Sequence, residues 1–147
     1  MTRPDLPPSV AHVLNGLETR TLPREEWTHG AHIAAALAIV SDPSRNAEAE
    51  MPDLIRAYNA SVGVANTDTG GYHHTLTLAW LGGVRAFLSG RPAPEPLDDT
   101  LAALLTGPMG RSDWPLTFWS RELLFSVAAR RGWVAPDLAP LPGTDIA

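Results

Sequence analysis

The chain contains no cysteine and no lysine. Without cysteine there is no disulfide, no thiolate nucleophile, no Cys-ligated zinc and no iron–sulfur cluster. Without lysine there is no Schiff-base chemistry and no P-loop. All 11 basic residues are therefore arginine, and they face 16 acids, for a net charge of −5. The basic footprint that nucleic acid requires is missing. Long hydrophobic runs are missing too. The segment Ile33 to Val40 falls far short of the ~20 apolar residues that span a bilayer. The opening residues, Met1-Thr2-Arg3-Pro4-Asp5-Leu6-Pro7-Pro8, carry no apolar stretch of the secretory kind. These absences predict a cytoplasmic protein with neither a nucleic-acid nor a membrane partner. The use of Arg for Lys, with abundant Ala and Pro, points to a GC-rich bacterial genome.

What is present is enough apolar residue, 44% of 147 positions, to fill one core. Its spacing is helical. Val10, Val13, Leu14 and Leu17 recur at a period of 3.6 after Pro7-Pro8 and predict a helix near 8–19. A second helix starts between Pro23 and Thr28 and ends at Val40, before Asp42-Pro43. Ser44 is the expected cap of a third, closed by Gly63. Asn66 to Gly71 reads as a turn-rich loop, and Tyr72 to Leu88 as a fourth helix despite Gly82-Gly83. Pro92 to Pro96 is a stiff connector, and a fifth helix begins at Asp98 or Asp99. Residues 114–132 suggest one or two short helices, anchored by Trp114, Phe118, Trp119 and Leu124. No segment alternates as a strand does. The expected fold is an all-α, compact single-domain bundle of five or six helices over 1–147, with an extended Pro-rich segment at 134–147.

Four of the five histidines form two clusters. His29 and His32, at i and i+3, share one helix face that continues through Ile33 and Ala36. His73 and His74 stand at the start of the fourth helix. The stripe of His73 runs inward through Thr77 and Trp80, and that of His74 through Leu78 and Leu81. Bundles build metal sites from such inward-facing side chains. Neutral imidazole suits zinc, copper, iron or nickel, and manganese completes the set of divalent candidates. Three protein ligands with an open fourth position mark a catalytic site. His29, His32 and His73 are accordingly the candidate metal ligands. The alternative is that these are core histidines hydrogen-bonded to the backbone. No His-Glu-x-x-His occurs, so the metalloprotease helix is excluded.

Around these clusters stand residues suited to supporting roles. Glu26, like Glu25, precedes His29 by about one turn and suits a general base beside a metal-bound water. His74 suits a fourth ligand or a proton shuttle. Tyr58 completes the candidate catalytic set of His74, Glu26 and Tyr58. Asn59, Asn66, Tyr72 and Arg121 are the candidate substrate contacts, with Trp27 and Trp80 as further walls of a pocket between the helices. Asp68 is expected to cap its own turn.

Several of these segments together resemble a little-characterised bacterial family of small helical proteins. The family carries a Thr-His-x-x-His helix start, a Gly-Tyr-His-Glu-Thr-x-Thr helix start, a Tyr-Ser-Arg-like segment and a Pro-Asp-Leu-x-Pro-Leu tail. The corresponding residues are Thr28-His29-Gly30-Ala31-His32, Gly71-Tyr72-His73-His74-Thr75-Leu76-Thr77, Trp119-Ser120-Arg121 and Pro136-Asp137-Leu138-Ala139-Pro140-Leu141. His74 stands where the family has Glu, and Trp119 where it has Tyr. The resemblance implies a shared site around the histidines without naming a reaction.

The resulting expectation is a metal-dependent enzyme of hydrolase or lyase type, or an iron or copper oxygenase, acting on a small polar molecule. The alternatives are a non-catalytic binding protein for a metal or an organic ligand, and a helical interaction module whose histidines belong to the core.

Overall fold

The computed structural model describes residues 9–91 and 93–142. The Pro-rich tail expected over 134–147 therefore lies in part outside the described residues, as do the first eight positions and Pro92. Seven α-helices follow in order: α1 Val10–Thr19, α2 His29–Val40, α3 Ala47–Ser61, α4 His74–Ser89, α5 Leu97–Thr106, α6 Arg121–Leu124 and α7 Val127–Arg131. Single 3-10 turns cover Arg24–Glu26, Pro108–Gly110 and Trp114–Thr117. No strand occurs among the described residues, and the architecture is the all-α bundle that the periodicity predicts.

Helix α2 is the axis of the bundle. Its apolar residues run right round it, and Ala31 and Ile33 to Ile39 are all buried. A helix that is apolar on every side must be enclosed. Here α1, α3, α4 and α5 enclose it. Small side chains at Ala34, Ala35, Ala36 and Ala38 let these neighbours approach closely.

Most starts are set by short polar caps. Ser9, Thr28, Asn46, Ser120 and Ser126 each turn a side-chain oxygen onto a backbone N–H three residues on. Helix α4 starts at His74 rather than Tyr72, with His73 as its cap, and two other starts also differ from expectation. Asn46, not Ser44, caps α3, because Ser44 is tied back to the Asp42 carboxylate through both its N–H and its hydroxyl. Helix α5 begins at Leu97 after Pro96, and Asp98 accepts the Val10 N–H, joining α5 to α1. Gly83 also finds its reason. A Cβ there would lie 2.7 Å from both Met109 Cε and Trp114 Cη2, so glycine lets the 108–118 segment lie against α4.

That C-terminal chain covers the outer face of α4 with a second apolar cluster of Ala79, Phe118, Trp119, Leu124 and Leu141. Trp119 donates its indole N–H to Val134 O. Thr75 donates its hydroxyl to Gly132 O and accepts the Val134 N–H. Polar fasteners thus hold this segment against the first turn of α4, next to His73.

Candidate functional site

Between α2, α3 and α4 lies a cavity of about 560 Å³. Its wall includes Trp27, His29, His32, Asn59, Tyr72, His73, Thr77 and Trp80, with Met51, Ile55, Leu76 and Leu81 supplying apolar surface. The volume lies inside the ~300–1,000 Å³ range of small-molecule sites, and the lining mixes aromatic surface with a few polar atoms as such sites do.

The two imidazoles of α2 are held alike. His29 donates Nε2–H to Met109 O at 2.9 Å, and His32 donates Nδ1–H to Thr28 O at 2.8 Å. A carbonyl can only accept, so each bond fixes a tautomer. The remaining nitrogens, His29 Nδ1 and His32 Nε2, keep their lone pairs and have no donor among the described residues. Indoles hold the rings in place. Trp27 lies over His32 with centroids 3.8 Å apart, and Trp80 meets His29 at 4.8 Å. Burial pushes the His32 pKa down from 6.5 to about 4, against the opposing bond to Thr28 O and with help from nearby His29. His32 is therefore a neutral acceptor at neutral pH.

His73 is built differently. It occupies the cap position of α4, and its Nδ1 accepts the Leu76 N–H at 3.1 Å. Its Nε2–H donates to Leu124 O at 2.6 Å. Both nitrogens are thus committed to backbone, and the ring lines the cavity without a free lone pair. Burial, the largest cause, holds its pKa below the usual histidine value. To ligate a metal together with His29 and His32, His73 would have to release one of these bonds. Among the described residues no three His, Asp or Glu side chains are grouped so as to hold a metal ion.

Of the remaining candidates, Asn59 and Tyr72 line the cavity, as do Trp27 and Trp80. The others do not. His74 is not in the wall and pairs its Nδ1 with the Tyr72 hydroxyl at 2.7 Å. Glu26 is exposed and bonds His12 at 2.9 Å. Tyr58 is fully buried and donates its hydroxyl to Leu22 O, where it anchors the loop after α1. Asn66 organises the 66–72 loop, accepting from Asn59 and from the Tyr72 N–H while donating to Arg56 O. Arg121 is exposed, with its guanidinium over the Phe125 ring. Asp68 does not cap its turn; it forms a bidentate pair with Arg131, while Thr67 supplies the cap.

Sequence reasoning misses Arg24, Thr77 and Ser112 as wall residues. Thr77 lies one turn after His73 on a stripe already read as inward. Arg24 enters through the 3-10 turn at 24–26, which no periodicity announces. Comparison with protein-family models, curated proteins and solved structures finds no match for the chain. The resemblance to the helical bacterial family therefore rests on its motifs alone.

Proposed function

We propose that the protein takes a small molecule into the cavity between α2, α3 and α4, and reads it with His29 Nδ1 and His32 Nε2 as paired acceptors. One observation carries this reading: both imidazoles spend their N–H on a backbone carbonyl and keep an unpartnered lone pair in a cavity wall. Among the described residues Ser41 Oγ is the one buried side-chain polar atom without a partner, so both imidazole nitrogens are open to the cavity, where a ligand donor can reach them. The low pKa of His32, about 4, favours binding over proton abstraction, because a general base works best near the operating pH.

A second reading keeps the metal. An imidazole whose other nitrogen is hydrogen-bonded to a carbonyl is the usual arrangement of a metal ligand. His29 and His32 would then be the protein ligands for a zinc-, copper-, iron- or nickel-like ion, with His73 remaining a cap. Bound solvent or the small molecule would complete the shell, and the ion would act as a Lewis acid of the hydrolase or lyase kind.

Ligand-detected NMR with a fragment library tests the first reading, and metal per chain after Zn²⁺ or Co²⁺ loading tests the second. Fragments that bind wild type and His74→Ala but not His32→Ala support the cavity site. Fragments indifferent to both His29→Ala and His32→Ala, or an absence of binders, overturn it. Stoichiometric metal lost in His29→Ala and His32→Ala and retained in His73→Asn favours the metal reading.

A further inference from the structure

The cavity has a charge pattern opposite to that of the chain. Acids outnumber bases by 16 to 11 overall, yet among the described residues no Asp or Glu lines this wall. Its one permanently charged residue is Arg24, which is exposed and so stands at the mouth. Seven of the other arginines are tied down. Arg45, Arg56, Arg85, Arg91, Arg111 and Arg131 each pair with a carboxylate, and Arg130 donates to the carbonyls of Gly71 and Tyr72. Among the described residues Arg24 takes no ion pair, although Glu25 and Glu26 follow it directly; Glu26 is turned away to His12. The same wall carries indole rings at Trp27 and Trp80 and aliphatic surface at Ile55, Leu76 and Leu81.

We propose that the occupant of this cavity is an organic anion with a flat apolar body and a single carboxylate, the body lying between the indoles and the carboxylate meeting Arg24. This inference rests on the small-molecule reading above and narrows it to a substrate class. A guanidinium matches a carboxylate in a two-pronged geometry. The aromatic wall matches a planar ring system. No carboxylate stands in the wall itself among the described residues, although Glu25 and Glu26 lie beside Arg24, and a single guanidinium in that setting suits a monoanion better than a doubly charged phosphate.

Matched pairs that differ only in charge provide the test. The full chain is titrated calorimetrically at neutral pH with benzoate and benzamide, 1-naphthoate and 1-naphthamide, and indole-3-acetate and indole-3-acetamide. Arg24→Gln is the variant; because Arg24 is exposed and unpaired, its melting temperature is expected to match wild type. The expected result is that at least one acid binds tenfold or more tightly than its amide. Arg24→Gln should remove that preference by weakening the acid while leaving the amide unchanged. Amides that bind as tightly as their acids, or a preference that persists in Arg24→Gln, overturn the anion assignment and leave the cavity reading standing. If neither acids nor amides bind at millimolar concentration, while fragments of other chemistry bind in a His32-dependent way, the assignment falls alone. If nothing binds at all, both fall.

Discussion

The chain carries two histidine pairs at two helix starts, and the structure uses them in opposite ways. At His73 both ring nitrogens close onto backbone, one as a helix cap and one as a tie to Leu124 O, while His74 binds the Tyr72 hydroxyl beside it. At His29 and His32 only one nitrogen of each ring is closed, and the other is left in a cavity wall. Both pairs stand at helix starts on stripes that read as inward, and that likeness does not separate them. What separates them is the partner of the second nitrogen. For His73 the two partners are the Leu76 N–H and Leu124 O, the latter 51 positions away, whereas His29 has the single bond to Met109 O, 80 positions away.

The contrast breaks most visibly at His73. Replacing it with Ala removes the α4 cap, worth about 1 kcal/mol, and leaves Leu124 O without its donor in a buried place, worth a further ~1–3 kcal/mol. The expected loss in urea unfolding is about 2–4 kcal/mol. His73→Asn restores an oxygen at the cap and should recover part of it. A loss below about 0.5 kcal/mol for His73→Ala would erase the distinction between the pairs.

The second expectation is a pH effect that belongs to His32. Its folded pKa, about 4, lies below the ordinary 6.5, so below pH 6.5 the unfolded chain takes up the proton and the folded protein resists it. Stability from this residue is fully present above pH 6.5 and is lost as pH falls toward 4. The expected contribution is about 2–3 kcal/mol, somewhat under the full conversion of the shift because one edge of the ring faces an open cavity. Carboxylates titrate in the same window, so the measurement is the difference between wild type and His32→Ala in urea unfolding with EDTA present. Parallel curves from pH 7 to 4 would show that His32 is solvated rather than enclosed.

A third expectation concerns binding rather than stability. Any ligand found in the cavity should lose about tenfold or more in affinity, roughly 1.4 kcal/mol, when His29 or His32 becomes Ala, since each removes one acceptor from a partnered donor. Asn59→Ala should cost less, because its amide nitrogen is already bound to Asn66. Calorimetry on the three variants checks the order, and Asn59→Ala losing more than either histidine would shift the centre of the site toward α3.

How far this was legible follows from where each signal resides. Helices α1 to α5 could be read because their apolar residues recur along the chain itself. The exact cap of α3 could not, because Ser44 and Asn46 are equally good caps and only the Asp42 bond to Ser44 decides between them. The histidine face of α2 and the cavity walls at Asn59 and Trp80 follow from helical stripes, whereas Trp27 and Tyr72 stand in the chain just before α2 and α4. Arg24 does not, since a 3-10 turn has no apolar period. Tyr58 looked like site chemistry because a buried phenol needs a partner, and that partner proved to be a backbone carbonyl, Leu22 O, 36 residues away. Pairing across such distances is a property of the packed bundle.

The smallest effect is expected at His74, and it sharpens the comparison from the other side. Position 74 is where the resembling family carries Glu. If the site included this position, His74→Glu would change metal or ligand binding. The structure puts His74 outside the cavity wall, half-buried, at the first residue of α4, with Arg56 stacked on the neighbouring Tyr72 ring at 4.3 Å. A carboxylate there meets the positive end of a helix and a nearby guanidinium, each favourable by about 0.3–1 kcal/mol at a partly exposed place. It can also accept from the Tyr72 hydroxyl that His74 now holds. Against these gains stands the modest cost of partly burying a charge. The sum is a change within about 0.5 kcal/mol of zero in urea unfolding, with ligand affinity unchanged within twofold. A tenfold change in binding on His74→Glu would bring this position into the site and collapse the contrast between the two pairs.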